Sequence, residues 1–382
     1  MQGGFQEQLG CIMTSFALRE CLYYARECSS PVYLCFLDAR QAFDRVWLDG
    51  LLYKLLTLPG EKLDDRGCDP RSPYTTDGIS AMKTSVDANT LVAIREMYRN
   101  VQTRVRHKGL LSDPFPVLQG TRQGGKSSPL LYLTYINGLI DELQNSEYGC
   151  CMYDIEICAP TVADDMVLMS YSRNGLQKMI DICDSYSKRW RFLYNASKCA
   201  TLTFNENETL DHQRQFHLGD ENIPICENYS HLGIDCNGNI SAHKITQDAS
   251  VKIRGTYMSI VSKGIGPVAF NANTLMTIYN SAVLPKALYG SELWCNVSAK
   301  DLSKLQKARI FCIKHIQGLR ASTSTDFSLV TVNSVPLETI IDCNKLKFFG
   351  QLCRLCPRFL VKDIFLNRLM ADFCQPKTVI KL

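Results

Sequence analysis

Three aspartates stand where they could do chemistry together. Asp38 closes the apolar run PVYLCFL at residues 31–37, where burying a lone carboxylate costs several kcal/mol. Asp164 and Asp165 sit in TVADDMVL at residues 161–168, between two apolar arms. A tight hairpin tip there would project both carboxylates to one side. If the strand ending at Asp38 lies alongside, three carboxylates converge at one sheet edge and raise each other's pKa. A hard divalent cation removes that penalty, and Mg2+ takes oxygen ligands readily. Two such ions ~4 Å apart can activate a 3′-hydroxyl and stabilise a leaving pyrophosphate in an in-line displacement. Aspartate also suits turns for its own sake, so Ala163-Asp164-Asp165 alone decides nothing.

The elements that must position these residues follow from periodicity. Residues 11–27 repeat apolar side chains at three-to-four spacing (Met13, Phe16, Leu18, Cys21, Leu22, Ala25), which predicts an amphipathic helix. Residues 31–37 read as a buried strand. A helix is expected over 44–58, then a loop or insertion over about 59–89, rich in proline, glycine and aspartate. Helical pattern returns at 90–100, and alternation at 101–106 predicts a strand or hairpin arm ending near Gly109. Residues 129–143 form a helix with Pro129 in its first turn, where proline is tolerated. Strands at 153–158 and 166–170 flank the Asp-Asp turn, followed by a helix over 174–192 and a strand over 199–204. Alternating strands and helices that also contain a hairpin predict an α+β sheet domain. From about 240 the pattern is mainly helical, with breaks at Gly264-Ile-Gly266-Pro267 and at Pro285.

Composition narrows the class but not the chemistry. The 382 residues are 46% hydrophobic and 21% charged, so bulk disorder is excluded and two or three subdomains are expected. A net charge of only +4 means that nucleic-acid binding would have to come from a local basic strip. The N-terminal residues are polar rather than signal-like and no apolar stretch reaches membrane-span length. Reduced thiols are therefore expected for the 18 cysteines, in an intracellular protein. Cys343, Cys353, Cys356 and Cys374, and Cys312 with His315, lack a paired second half at zinc-finger spacing and read as apolar helix faces.

Six ordered segments resemble LINE-type (non-LTR) retrotransposon reverse transcriptases. FLDARQAFD at 36–44 resembles the first palm motif of that family, and GTRQGGKSSP at 120–129 resembles the second. VADD at 162–165 resembles the third, and WRFLYNASKC at 190–199 the fourth. HLGI at 231–234 resembles the primer-grip hairpin, and LPKALYGSELW at 284–294 the helical thumb. Each is weak to moderate alone, but the ordered set is specific and spans most of residues 1 to about 320.

The resemblance implies a right-hand polymerase: an α+β fold with a ferredoxin-like palm, partial fingers and a helical thumb. The implied domains are a fingers remnant at 1–30, the palm at 31–235 with its insertion, a thumb at 236–320 and a helical extension at 321–382. The implied reaction is RNA-directed DNA synthesis onto a DNA 3′-end from deoxynucleoside triphosphates. Asp38, Asp164 and Asp165 would hold two Mg2+ ions, or Mn2+ in their place. Phe43 would stack under the incoming sugar and exclude a ribose 2′-hydroxyl. Gln123 would line the nucleotide pocket, the backbone at Gly124 and Gly125 would allow close approach, and Lys198 would sit near the triphosphate. Leu232 and Gly233 would grip the primer. Arg104, Arg106 and Lys108, with His107, form a basic cluster that either tracks template phosphates or solvates an edge strand. Action on chromosomal DNA would place the chain in the nucleus.

The sequence departs from the family in three ways. The basic fingers strands that precede Gln2-Gly-Gly-Phe5 in relatives are missing, as is the endonuclease domain many relatives carry. Val162 replaces a more usual aromatic residue. The 59–89 stretch is longer than the family's link. Without the fingers charges, triphosphate affinity should fall sharply, so a weakly active chain or a catalytically dead nucleic-acid-binding relic is the alternative expectation.

Overall fold

The computed structural model describes residues 1–57, 86–205, 215–237 and 242–374. Most of the expected 59–89 insertion lies outside them. Two compact units divide the chain, Met1–Leu232 and Gly233–Leu382.

The first unit is built on a four-stranded antiparallel sheet. Its strands are β1 (Val32–Leu37), β8 (Thr161–Val162), β9 (Asp165–Ser170) and β10 (Ala200–Phe204). They lie in the order β10-β1-β9-β8, the 4-1-3-2 order of a ferredoxin-like sheet. Before β1 runs α1 (Cys11–Glu27). Between β1 and β8 come α2 (Leu48–Thr57), α3 (Ala88–Tyr98), two small hairpins of β2 to β5 within residues 102–116, α4 (Ser128–Gln144), and the hairpin of β6 (Cys150–Met152) and β7 (Ile155–Ile157). Between β9 and β10 runs α5 (Arg173–Arg189), started by Ser172, whose Oγ accepts from the Gly175 N–H at 3.0 Å.

Strand alternation sorts β1 between two faces. Cys35 and Leu37 join the core with Leu131, Tyr135 and Leu139 of α4 and Met179, Ile180 and Cys183 of α5. Phe36, 1% exposed, turns to the opposite face and stacks on Tyr229. Each such buried side chain stabilises the sheet by about 1.5–3 kcal/mol. On the α4/α5 side, Lys54 of α2 enters a box of Tyr135, Tyr186 and Trp190, with its ammonium 3.9 Å from the Trp190 ring. It donates to the Tyr135 carbonyl and the Tyr186 hydroxyl. Burial pulls its pKa down to about 7.

Three elements differ from their sequence expectation. The helix predicted over 44–58 begins only at Leu48, because residues 43–46 are held by the following loop. The strand predicted over 153–158 is present as β7 (Ile155–Ile157), shortened by the turn at Tyr153 with φ 54, and Pro160, with no N–H to extend a ladder, parts it from the Asp-Asp turn. The arm before the Asp-Asp turn is therefore only the two residues of β8. In the second unit Pro285 does not break the helical run. The α7 helix (Ala272–Ile278) widens into a π turn at Tyr279–Val283 that leads into α8 (Leu284–Ala287) with Pro285 in its first turn, and the wider turn absorbs the missing N–H.

The second unit opens on β14 (Ile234–Asn237), after β11 (Phe216–Leu218), β12 (Glu221–Ile223) and β13 (Asn228–His231) have closed the first. It is otherwise helical: α6 (Ala242–Val261), α7, α8, α9 (Ala299–Ile316), α10 (Thr325–Val330), α11 (Leu337–Arg354) and α12 (Leu360–Cys374). Ile253 and Tyr257 of α6 pack with Leu305, Cys312 and Ile313 of α9. Arg309 is fully buried, its guanidinium donating to the Val335 carbonyl and the Ser334 hydroxyl at 2.6 Å each. Among the described residues no helix is long and apolar enough to cross a membrane.

Candidate active site

The register of β1 on β9 places the carboxylates. Leu37 pairs with Met166, so the next position along each strand sets Asp38 beside Asp165. The Val162–Asp165 pair closes the β8–β9 hairpin, with Ala163 at φ 58 and Asp164 at its tip. Burial pushes the Asp164 carboxyl above the usual range, helped by the charge of Asp38. Burial also raises Asp165, helped by Asp164 and Asp38. The three carboxylates feel one another, yet among the described residues no three acidic, histidine or cysteine side chains close into one ligand group. Their all-oxygen donor set and mutual repulsion fit a hard divalent cation, which would draw them together.

Near the carboxylates lie three rings. Phe43 stacks on Tyr132 at 4.5 Å, and Phe5 meets Phe43 edge-on at 6.3 Å. Burial, then the charge of Asp164, pushes the Tyr132 phenol well up, so Phe43 and Asp164 flank one buried tyrosine.

The loop at 120–125 docks on the same stretch. The Gly120 N–H donates to Val46 O at 2.9 Å and the Thr121 N–H to Phe43 O at 2.8 Å. Gly120 has φ 91, and a Cβ there would stand 2.7 Å from Asp44 O, so both conformation and space demand glycine. Gln123 donates through Nε2 to the Asp44 carboxylate at 2.8 and 3.1 Å. Gly124 takes φ 78 with open space around it. Thus Phe43, Asp44 and Gln123 share one wall.

Lys198 lies on a turn bound to Asp38. The Asn195 N–H donates to Asp38 O, and the Lys198 N–H to Asn195 O, both at 2.9 Å. The Asp38 N–H in turn donates to Cys199 Sγ at 3.4 Å. The Lys198 side chain is exposed.

The remaining predicted residues are placed elsewhere. Arg104, Arg106 and Lys108 ride on the exposed hairpins of residues 102–116 with Leu110 and Leu111. Leu232 and Gly233 take φ 53 and 74, a turn with two successive positive φ angles.

Sequence reading missed three contributors. Tyr229 lies flat on Phe36 at 4.1 Å; burial, then the charges of Asp165 and Asp38, raise its phenol. Gly120 seats the pocket loop. Gln2 accepts from the Ala163 N–H at 2.9 Å. Gly120 and Gln2 carried a signal, each inside a segment that resembles the family, whereas Tyr229 carried none.

Comparison with known proteins agrees with this arrangement. The reverse transcriptase (RNA-dependent DNA polymerase) family matches residues 75–236, a stretch with Gln123, Asp164, Asp165 and Lys198 that begins after Asp38. The RNA-directed DNA polymerase from mobile element jockey of Drosophila melanogaster is 25% identical over 325 residues, 83% of this chain and 31% of that relative. The probable RNA-directed DNA polymerase from transposon X-element of the same organism is 24% identical, over 71% of this chain and 27% of its own length. The chain is thus similar to the RNA-directed DNA polymerases of mobile elements, and to the reverse transcriptase family over residues 75–236.

The chain spans under a third of the length of those relatives. Among solved structures it is similar to telomerase from Candida albicans in complex with a telomeric RNA fragment, at TM-score 0.43 and 10% identity, over 85% of this chain and 54% of that one. Its 4-1-3-2 sheet, with the aspartates at one edge, has the ferredoxin-like order that the sequence resemblance implied.

Charge is distributed unevenly along the chain. Residues 233–382 hold 19 Lys and Arg against 9 Asp and Glu. Lys300, Lys304, Lys307 and Phe311 share one exposed face of α9, and Arg254 of α6 lies over the Phe311 ring at 5.1 Å.

Proposed function

We propose that this chain is a polymerase core that copies an RNA template into DNA by adding deoxynucleotides to a DNA 3′-end. The observation that carries the reading is the register that sets Asp38 beside Asp165, with Asp164 at the adjoining tip. Reverse transcriptases use divalent metal ions, and here Asp38, Asp164 and Asp165 would hold two Mg2+ ions. When bound, those ions would lower the pKa of the attacking hydroxyl and neutralise the leaving pyrophosphate.

The chain's own residues do the rest. Phe43, backed by Tyr132 and edged by Phe5, offers a rigid ring against which the incoming sugar packs and which leaves no room for a 2′-hydroxyl. Gln123, fixed by Asp44, lines the nucleotide pocket. Lys198 has its backbone tied to Asp38 and its ammonium in solvent, which suits it to meet a triphosphate or to hand a proton to pyrophosphate. The RNA template and DNA primer would meet the basic hairpins of Arg104, Arg106 and Lys108 and the Leu232–Gly233 turn, and the basic face of α9 would attract phosphates. Such a chain would act on chromosomal DNA in the nucleus.

Primer extension on poly(rA)/oligo(dT) with dTTP and Mg2+ tests the reading. Extension by the parent should fall by about 10³-fold or more in Asp164→Asn, the scale of lost metal-assisted charge stabilisation. A folded parent that extends nothing would leave a chain that binds nucleic acid without copying it.

A further inference from the structure

Gln2 touches no reacting atom in the reading above, yet it is bound to the backbone one residue before Asp164. Its side chain is 9% exposed. Its Oε1 accepts from the Gly4 N–H at 2.8 Å and from the Ala163 N–H at 2.9 Å. Around it the chain runs parallel to β8, with Gln2 bridged to Thr161. The Gly3 N–H donates to Thr161 O at 2.7 Å, and the Thr161 N–H donates to Met1 O at 3.0 Å. Gly4 leaves no room for a side chain, since a Cβ would stand 2.5 Å from the Ala163 nitrogen.

The hairpin that Gln2 grips is poorly equipped to hold itself. Only two residue pairs close it, and a two-stranded ribbon that short is marginal alone. Ala163 takes φ 58, a conformation costly for a residue with a Cβ. The two residues that follow are carboxylates that repel each other and Asp38. Strain and repulsion both favour opening of the tip, and the carboxamide opposes it by capturing the amide at the strained residue.

We propose that Gln2 is a positioning residue for nucleotidyl transfer, setting Asp164 and Asp165 in place beside Asp38 as a divalent-cation site. The inference rests on the polymerase reading for the reaction, but not for the cation. A side chain of the same length without an acceptor leaves a buried N–H unpaired and lets the tip relax, so the carboxylates hold a cation less tightly.

The experiment titrates Mn2+ into the parent, Gln2→Met and Asp164→Asn by electron paramagnetic resonance, and measures primer extension alongside. Gln2→Met should weaken Mn2+ binding roughly 10-fold, the scale of one buried hydrogen bond. Its kcat should fall by a similar factor while KM for dTTP stays within about twofold; partial loss of folding would lower apparent kcat and the Mn2+ stoichiometry but leave the Mn2+ affinity unchanged, so the affinity is the deciding reading. If Gln2→Met does not fold, Gln2→Asn, which keeps the amide but withdraws it by one methylene, is held to the same criterion. Parent-like Mn2+ affinity in a folded variant overturns the proposal, as does a parent whose Mn2+ binding is untouched by Asp164→Asn. A parent that binds Mn2+ through Asp164 and Gln2 but extends no primer supports the positioning role and removes the polymerase reading.

Discussion

Residues 1–232 carry 23 Lys and Arg against 29 Asp and Glu, whereas residues 233–382 carry 19 against 9. The first unit holds the carboxylates, the aromatic wall and the pocket loop, and the second holds the cationic helix faces. The net charge of +4 is thus an average over two opposed parts. Acidic chemistry concentrated in one unit repels phosphates unless cations intervene, and a basic partner unit supplies attraction without adding charge at the reacting centre. Composition alone could not expose this, because the two excesses nearly cancel.

The largest expected effect comes from reversing charge in the second unit. Lys304→Glu combined with Lys307→Glu should weaken binding of an RNA–DNA hybrid roughly 100-fold at 50 mM salt and lower the salt slope by about 2. Fluorescence anisotropy across a salt series measures both. Unchanged affinity would end the division between chemistry and charge.

A smaller effect concerns acid stability of the first unit. Burial lowers the His231 pKa from 6.5 to about 4, and neither ring nitrogen finds a hydrogen-bond partner. The unfolded chain binds a proton at higher pH than the folded one. Stability is therefore complete above about pH 6.5 and drains as pH falls towards 4, by about 3 kcal/mol. His231→Phe, which keeps a ring against Phe36, should flatten that slope in urea unfolding. A slope that persists would assign the acid lability to another group.

The smallest effect is a gain. The raised carboxyls of Asp164 and Asp165 favour the folded state while protonated, and that contribution is lost as pH rises through their folded pKa values. Without divalent cations, Asp164→Asn should stabilise the chain at neutral pH by roughly 1 kcal/mol, or about 2–4 °C, and by nothing near pH 3. Thermal melts in a chelator check it. A destabilised variant at neutral pH would mean that Asp164 is not under charge strain.

Much of the site was legible because chemistry-bearing residues sit in short local patterns. Asp38 was readable as a carboxylate ending an apolar strand, and Asp164-Asp165 as a turn between two arms. Helices α1, α4 and α5 fell close to their expected spans, since a 3.6-residue apolar period survives without knowledge of neighbours. The second arm was readable, since 166–170 lies within β9 (Asp165–Ser170), but the first was not. The strand read over 153–158 is β7 (Ile155–Ile157), and beyond Pro160 the arm that closes the turn is the two-residue β8. The start of α2 was misplaced for a similar reason: Phe43 and Val46 spend their carbonyls on Thr121 and Gly120, more than seventy residues away.

Residue types and their order were thus determined by the sequence alone: which aspartates could bind cations, which aromatic ring follows Asp38, which elements are helical. What only the tertiary structure decided is who stands beside whom. The bond from Ala163 to Gln2 spans 161 residues, and the stack of Tyr229 on Phe36 joins segments equally remote in the chain. Local periodicity records how a segment meets a generic apolar interior. It carries no record of which distant amide or ring fills that interior, because that is settled by the joint packing of every element.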